Sequence, residues 1–232
     1  MDPGFLDFIR VVVDGDVDEV IPHLSRHRAL ATMASDVGAT RQGSSTFFYA
    51  DIAHYLYQGD TPLHMAAAAF RPRVAHLLIE HGAHCRARNR RGAEPLHYAA
   101  DANRWDPIAQ AETITLLVTA GADPNALDRA GVAPLHRAVR TRSLAAVRAL
   151  LDGGADSRRP NKSGSTPLHL AVQPTGRGGS GSSQSREQQA SIVRLLIERG
   201  ARVTDRDGRG KAVHQAATGE WTRALLGQSS AT

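Results

Sequence analysis

Short apolar stripes at helical spacing recur along the chain, each introduced by the same start signal. Leu63, Ala66 and Ala67 fall on one face of a helix. Thr61 before them is a favoured N-cap residue, and Pro62 suits the first helical position because the amide hydrogen it lacks would go unpaired there. The pattern predicts a short helix that begins at Pro62.

A second apolar stripe follows each of these short helices. Val74, Leu77 and Leu78 have helical spacing, and the same spacing returns over residues 192–196. Gly82, just after the stripe, suits a left-handed C-terminal cap. Because neither helix of such a pair can bury its stripe alone, we expect neighbouring pairs to stack.

The start signal returns at a regular interval. The copies are Thr61-Pro62-Leu63-His64, Glu94-Pro95-Leu96-His97, Ala133-Pro134-Leu135-His136, Thr166-Pro167-Leu168-His169 and a degraded Lys211-Ala212-Val213-His214. Their histidines are 33, 39, 33 and 45 residues apart, which indicates a period of 33 residues with two insertions. Gly-Ala follows each of the first four copies, at residues 82–83, 121–122, 154–155 and 200–201.

These motifs resemble the ankyrin repeat, whose signature is Thr-Pro-Leu-His-x-Ala-Ala, a second helix ending in Leu-Leu, and Gly-Ala before a finger-like turn. The resemblance covers residues 60–226. It implies an all-α ankyrin-repeat solenoid of stacked helix-turn-helix units with projecting finger turns, of bacterial type, and it implies protein–protein interaction as the default activity. It also implies that the histidine of each copy is buried and bonded to backbone in the adjoining turns: His64, His97, His136, His169 and His214.

The repeat boundaries divide a single domain into seven segments. We expect an N-terminal capping unit, an aromatic connecting loop, four repeats of which the second and fourth carry insertions, and a C-terminal capping unit. Their boundaries are 1–30, 31–59, 60–91, 92–130, 131–163, 164–208 and 209–232.

Departures from the repeat pattern mark what is particular to this chain. Glu94 and Ala133 stand where the capping threonine belongs, and Phe70 and Arg142 stand where the family turns with glycine between its helices. The insertions around residues 103–107 and 174–189 are expected to be loops, and the second is a Gly/Ser-rich segment of the flexible kind.

Composition places the chain among globular proteins. Of its 232 residues 41% are hydrophobic and 22% charged, and no run approaches the roughly 20 apolar residues of a membrane helix. The formal charge is +5, and 26 of the 28 basic residues are arginine. Charge alone does not choose between nucleic acid and acidic protein as partners.

No secretion signal is recognisable at the N-terminus, where acids interrupt the apolar residues. This favours the cytoplasm, with export as the alternative if a leader has been removed. The chain is expected to act as a monomer without contact with a membrane.

Catalytic and metal-binding motifs are not found in the sequence. There is no Gly-x-Ser-x-Gly, Walker lysine, His-Glu-x-x-His or dinucleotide motif. His23 with His27, and His81 with His84 and Cys85, lack a third ligand at suitable spacing. We therefore expect no metal, no cofactor and no catalytic residue.

Basic residues cluster in the predicted fingers, and stacking would align them along one edge as a basic ridge. Its candidate partner-binding residues are Arg86, Arg88, Arg90, Arg129, Arg158 and Arg159. The alternative is a solvated, soluble edge. Because aspartates are interspersed, a protein partner, for which acidic character is one option, is favoured over nucleic acid.

Aromatic residues concentrate just before the first clear repeat. Phe47 and Phe48 are expected to seal the open end of the stack, while the other residues either support the loop as part of this cap or wall a recess on the concave side. The candidates for that recess are Tyr49, His54, Tyr55, Tyr57 and Trp105, with Tyr98, Asp101, Arg137 and Arg140 along its floor. Aromatic and arginine side chains dominate recognition surfaces.

Two functions remain open from sequence. The first is a protein-interaction module that binds through the concave face and finger edge. The second is a small-molecule binder or hydrolase using the recess between the 44–59 loop and the repeat-two insertion.

Overall fold

The computed structural model describes residues 3–40, 43–101, 106–174, 182–217 and 219–228. Within these ranges the α-helices are α1 (Pro3–Asp14), α2 (Val17–Arg26), α3 (Pro62–Ala68), α4 (Pro72–Glu80), α5 (Pro95–Ala99), α6 (Pro107–Thr119), α7 (Pro134–Thr141), α8 (Leu144–Asp152), α9 (Pro167–Ala171), α10 (Ser183–Glu198), α11 (Val213–Ala216) and α12 (Glu220–Gln228). Three 3₁₀ turns (Arg28–Ala31, Ser45–Phe47, Ala50–Ile52) and a hairpin of β1 (Phe48–Tyr49) and β2 (His54–Tyr55) lie between α2 and α3.

The helices stack in two layers. The first helices of successive units, α1, α3, α5, α7, α9 and α11, each contact the next, and so do the second helices α2, α4, α6, α8 and α10. The leucine of every Pro-Leu-His segment is buried between the layers, and alanines such as Ala66 and Ala99 are fully buried beside it. These small residues let neighbouring helices approach closely. The stack of helix pairs is all-α, which is the predicted fold class.

A histidine links each repeat to the next. In the first repeat, Nδ1 of His64 accepts the Thr61 backbone N–H at 3.1 Å and Nε2 donates to the Ala93 carbonyl at 3.1 Å. The backbone bonds of His97, His136 and His169 follow the same scheme and end on the carbonyls of Val132, Ser165 and Lys211. For these four histidines the structural role implied by the resemblance is confirmed.

The fifth histidine does not take this role. Helix α11 starts one residue later than the sequence alignment placed it, so Gln215 stands at the histidine position and its Oε1 accepts the Ala212 N–H at 3.0 Å. His214 is exposed, and its ring contacts the Val203 carbonyl at 3.2 Å. The prediction for His214 was wrong because Lys211 and Ala212 were aligned with the threonine and proline of the motif. In the structure Ala212 is the N-cap residue, one position later than this alignment implies.

The finger turns are joined by one backbone hydrogen bond per neighbouring pair. The donors are the amides of Arg90, Arg129, Lys162 and Gly208, and the acceptors are the carbonyls of Gln58, Arg91, Gly131 and Ser163, at 2.9, 2.9, 3.2 and 3.0 Å. Together with the histidine bonds, this ladder holds the fingers in register along one edge.

Two non-glycine residues make the tight turn between the helices of a unit. Phe70 and Arg142 have φ of 52° and 60°, in the left-handed region that glycine usually occupies. The amide after each turns back onto the preceding helix, from Arg71 to the Ala66 carbonyl at 3.0 Å and from Ser143 to the Ala138 carbonyl at 3.2 Å. Both residues are therefore at the turn, as the sequence indicated.

Both insertions contribute helix, which corrects the expectation of loops. Residues 102–105 and 175–181 lie outside the described residues, but α6 begins at Pro107 and α10 at Ser183. Asp106 and Ser182 cap these helices, with side chains that accept the amides of Ala109 at 3.0 Å and Ser185 at 3.2 Å. The insertions thus lengthen the second helices of repeats two and four.

A buried glutamine closes the end of the first helix in these two units. Nε2 of Gln110 donates to the carbonyls of Ala99 and Asp101 at 2.8 and 3.0 Å. Nε2 of Gln189 donates to the carbonyls of Ala171 and Gln173 at 2.6 and 3.0 Å. In each unit the side-chain amide donates to carbonyls at the end of the first helix. Buried carbonyls need a hydrogen-bond donor, and here the glutamine supplies it in place of a backbone amide.

We expect Gln189→Leu to lower the free energy of unfolding by about 1–3 kcal/mol, because it leaves two carbonyls without this donor. Gln188→Leu is the matched control, since Gln188 is only half-buried and its side chain forms no hydrogen bond within the described ranges of the chain. Urea unfolding of both variants checks this. Equal losses in the two variants would contradict the assigned role.

The segment before the first repeat is ordered and bonded to it. Ala39 donates to the Leu56 carbonyl at 2.8 Å, and Gly59 donates to the Ser35 carbonyl at 2.8 Å. Gly59 has φ of 85°, and a Cβ there would lie 2.8 Å from Cα of Asn89, so only glycine permits this close approach to the first finger. The 3₁₀ turns and hairpin of this segment therefore have a fixed position on the stack.

The two phenylalanines of this segment behave differently. Phe47 packs partly buried against the core, whereas Phe48 is 42% exposed and contacts the Tyr55 ring at a centroid distance of 4.7 Å. Phe48 therefore does not seal the stack, because its strand turns this side chain outward to the facing strand of the hairpin.

Candidate binding surface

A buried polar cluster lies behind the first finger. The side-chain oxygens of Asp60 accept the Tyr98 hydroxyl at 2.9 and 3.0 Å and the Asn89 side-chain amide at 2.8 Å. Oδ2 of Asp60 also accepts the Tyr57 backbone N–H at 2.6 Å. Burial and the adjacent Asp60 raise the pKa of Tyr98 well above its usual range, so its phenol remains a donor. The cluster fixes Tyr57 relative to the first finger.

Tyr98 therefore does not belong to an accessible concave floor, where sequence placed it. It is 2% exposed, and its ring packs edge-on against His54 at 4.5 Å and His64 at 5.2 Å between centroids. Its hydroxyl bonds to Asp60, 38 residues earlier, which the repeat pattern does not reveal.

Arg137 and Asp101 are also committed to internal contacts. The guanidinium of Arg137 donates to Asp101 at 2.7 Å and to Asp128 at 2.8 Å, and its side chain is only 13% exposed. Burial acts to raise the pKa of Asp128, but the hydrogen bonds from Arg137 and the Val132 amide outweigh it and lower that pKa. This network joins repeats two and three, and the Arg137 guanidinium is therefore not free to bind a partner.

Several arginines of the predicted ridge pair with acids within the chain. Arg86 lies 3.6 Å from Asp123, and Arg88 donates to Glu94 at 3.0 Å. Arg158 donates two bonds to Asp205, at 3.0 and 2.7 Å. The Asp123 and Asp205 contacts cross to the next finger, so some of the ridge charge is neutralised by the stacking itself.

Other arginines of the finger edge and of the first-helix layer remain accessible. Arg129 and Arg140 are exposed and Arg159 is half-buried, and none of the three forms an ion pair within the described ranges. Arg90 donates to the Ala39 carbonyl at 2.6 Å but has no carboxylate partner among the residues that the structure covers.

A recess of about 500 Å³ opens beside the first finger. We call it the tyrosine–arginine recess, and its lining residues are Ala39, Thr40, Ser44, Tyr55, Tyr57, Arg90 and Arg91. The guanidinium carbons of Arg91 and Arg90 lie 4.9 and 5.8 Å from the centroid of the Tyr57 ring. These are cation–π distances, so the ring orients both cations at the wall of the recess.

Tyr49 and His54 do not line this recess. Tyr49 and His54 are half-buried partners in the hairpin, and burial raises the pKa of Tyr49 to about 12. His54 packs between Tyr57 and Tyr98. Trp105 lies outside the described residues.

Sequence reasoning missed Thr40 and Ser44 as walls of the recess. No local motif marks them, since they reach it through the pairing of Ala39 with Leu56. Arg91 was not among the predicted binding residues, yet its guanidinium lies closer to the Tyr57 ring than that of Arg90.

A second groove, of about 670 Å³, lies on the opposite layer between α6 and α8. Its apolar wall includes Ile108, which is 72% exposed, with Leu144 and Ala145. Glu112, Arg148 and Asp152 also line it, so its charge is mixed.

Neither a metal-binding cluster nor an activated cysteine is found among the described residues. No group of three or more His, Cys, Asp or Glu side chains there could hold a metal ion. Cys85 is buried, and that burial raises the pKa of its thiol, which disfavours the nucleophilic thiolate. None of the helices in the described ranges is long and apolar enough to cross a membrane.

Comparison with known families agrees with this architecture. A family model for ankyrin repeats matches residues 39–125 and 108–207 with three copies, which is more than half of the chain. No curated protein matches the sequence. Ankyrin repeats are in general modules of protein–protein interaction, built as stacks with extended concave surfaces. The two-layer stack, the histidine links and the matched repeats together show that this chain belongs to the ankyrin-repeat family.

Proposed function

We propose that this chain, as a monomer, binds a protein partner across its first-helix layer and finger edge, and that the contacted surface of the partner is acidic. The observation that carries the proposal is the separation of charges at this edge. Asp101 and Asp128 are held by Arg137, while Arg90, Arg129 and Arg140 are exposed without ion pairs in the described residues. These three arginines therefore present accessible positive charge on this surface.

The location of these arginines fits an extended footprint. Arg90 and Arg129 occupy equivalent positions in successive fingers, because the backbone amide of each donates to the preceding turn. Arg140 lies on α7, in the layer of first helices. A partner that contacts all three would span three successive repeats, and such spread contacts are typical of solenoid binding surfaces. Arginine contributes strongly to such surfaces because its planar group binds carboxylates with two hydrogen bonds.

The alternative of a hydrolase has less support. A nucleophile needs a base in hydrogen-bond reach, and the single cysteine is buried with a raised pKa. The recess itself remains as a place for a small charged group, which is a binding feature and not a catalytic one.

Reversing two exposed charges tests the proposal. We expect Arg129→Glu with Arg140→Glu to reduce the association rate with the partner by about tenfold or more at low salt, because electrostatic steering depends on the facing charges. Proteins captured from the source cells by the parent chain identify the partner, and surface plasmon resonance at several salt concentrations measures the rates.

The matched control reverses two exposed arginines of the second-helix layer, Arg148→Glu with Arg194→Glu, which gives the same change in net charge. This control should bind like the parent. If both double variants lose association equally, the effect is one of net charge, and the assigned surface is wrong.

A further inference from the structure

We propose that the tyrosine–arginine recess is a binding site for a phosphoryl monoester group whose molecule also carries an aromatic ring. The inference rests on the proposed function, because it names the chemical group that a partner segment would place at the first finger. A tyrosine phosphate on the partner and a free aromatic nucleotide share this chemistry, and the experiment below separates them.

The charge of the recess calls for a doubly negative group. Arg90 and Arg91 both line it, and no carboxylate is among its lining residues. Neither guanidinium forms an ion pair with any residue in the described ranges. A phosphoryl monoester carries about −1.5 to −2 charges at neutral pH, so it would be neutralised by two guanidinium groups, whereas one carboxylate would leave excess positive charge.

Side-chain hydroxyl groups add hydrogen-bond donors to the lining of the recess. Thr40, Ser44 and Tyr55 each bring a hydroxyl to the lining. The phenols of Tyr55 and Tyr57 have no hydrogen-bond partner among the residues that the structure describes. Hydroxyl and guanidinium groups are the side-chain donors that commonly bind phosphoryl oxygens.

The aromatic side and the size of the recess accommodate a ring. The Tyr55 and Tyr57 rings lie 6.2 Å apart between centroids with a tilt of 48°, and both contribute to the lining. A volume of about 500 Å³ exceeds what a phosphoryl group alone would fill and falls within the range of small-ligand sites. A flat ring against these tyrosines would gain offset or edge contacts.

The recess is held in place before any ligand binds. The Tyr57 backbone is bonded to Asp60 at 2.6 Å, and the Arg90 backbone to the Gln58 carbonyl at 2.9 Å. Arg90 is further held by its bond to the Ala39 carbonyl at 2.6 Å. A site fixed in this way loses less entropy on binding.

The chain offers a matched pair of variants to test this site. Arg91 and Arg209 hold the same position in their fingers, since the backbone amide of each donates to a side-chain oxygen two residues earlier, Asn89 Oδ1 at 2.8 Å and Asp207 Oδ1 at 2.9 Å. Only Arg91 lines the recess. Arg91→Gln therefore removes a recess cation, and Arg209→Gln removes an equivalent cation elsewhere.

The experiment titrates N-acetyl-phosphotyrosine amide into ¹⁵N-labelled protein and follows the backbone amide signals by NMR. We expect saturable shifts centred on Tyr57, Arg90 and Arg91, no such shifts with N-acetyl-tyrosine amide, and binding at least about tenfold weaker in Arg91→Gln but unchanged in Arg209→Gln. Adenosine monophosphate is the second probe. Tighter binding of the phosphotyrosine probe assigns the site to a partner protein, and tighter binding of the nucleotide assigns it to a free ligand.

The inference is overturned if neither phosphorylated probe shifts these signals, if the unphosphorylated tyrosine probe binds as well, or if the two glutamine variants weaken binding equally. Such a failure is separate from failure of the proposed function, because Arg129 and Arg140 lie outside the recess. Their charge-reversal variant would still report on the wider binding surface.

Discussion

Acidification from pH 7.5 to pH 4.5 is expected to destabilise this protein by several kcal/mol without any change in its partners. The cause is the row of buried histidines. Burial, reinforced by the positive charge of Arg137, lowers the pKa of His97 from 6.5 to about 4. Burial also lowers the pKa values of His64 and His136.

The direction of the effect follows from proton linkage. Above pH 6.5 these imidazoles are neutral in the folded and the unfolded chain, so they add no pH dependence. Between pH 6.5 and about 4 the unfolded chain binds a proton at His97 that the folded chain does not bind. Each pH unit in this window costs about 1.4 kcal/mol, or about 3 kcal/mol in all for this residue. His64 and His136 add to the slope in the same direction.

Urea unfolding at a series of pH values measures this slope. Gln215 shows that glutamine can hold the same backbone amide, so His97→Gln should fold while it loses the bond to the Val132 carbonyl. We expect this variant to be less stable at pH 7.5 but to have a shallower pH dependence. His76→Gln, at an exposed site, is the control. A parent protein of constant stability from pH 7 to 5 would contradict the assignment.

Removal of the Asp60 side chain is expected to cost about 3–5 kcal/mol of unfolding free energy. Asp60 is fully buried, and its oxygens accept bonds from Tyr98, Asn89 and the Tyr57 backbone. In Asp60→Ala these three donors would lose their acceptor inside the protein, and a cavity would remain. Asp51→Ala, at an exposed site of the same segment, should change stability by less than about 0.5 kcal/mol.

A double-mutant cycle shows whether the cluster acts as a unit. Tyr98→Phe keeps the buried ring and removes one donor, so we expect a smaller loss of about 1–2 kcal/mol. In the double variant with Asp60→Ala, no tyrosine hydroxyl is left unsatisfied, and the loss should be smaller than the sum of the single losses. Additive losses would mean that the hydroxyl and the Asp60 side chain act independently.

The repeat architecture could be predicted because the sequence signals that start each helix lie within a few residues of one another. Each of the four Pro-Leu-His segments carries a first-turn proline and a buried leucine, and two of them carry a capping threonine, so a single copy specifies where a helix begins. The same dependence on local pattern explains the errors. The polar run over residues 183–189 has no apolar stripe of the usual kind, and its contact with the end of α9 is made by the side chain of Gln189. The degraded last copy, residues 211–214, was aligned one residue too early, so the start of α11 was misplaced by one residue.

The candidate site was less predictable because distant contacts decide which side chains are free. Arg137 and Arg90 look alike in sequence, yet one is held by two aspartates and the other faces a recess. Tyr55 and Tyr57 are close neighbours in the sequence, but Thr40 and Ser44 join them at the recess only through the fold of residues 35–60. The stacking of repeats predicts that the fingers align, but it does not predict which arginines form ion pairs with acidic side chains of neighbouring fingers.

The single backbone bond between neighbouring fingers makes the amides of Arg90, Arg129, Lys162 and Gly208 natural reporters of how cooperatively the stack opens. Each amide is a donor across one junction, so its hydrogen-exchange protection measures the free energy of separating that pair of units. If the chain unfolds as one body, all four protections converge on the same value. If the units separate sequentially, the values differ in steps, and the step at each junction gives the nearest-neighbour coupling of a one-dimensional chain of repeats.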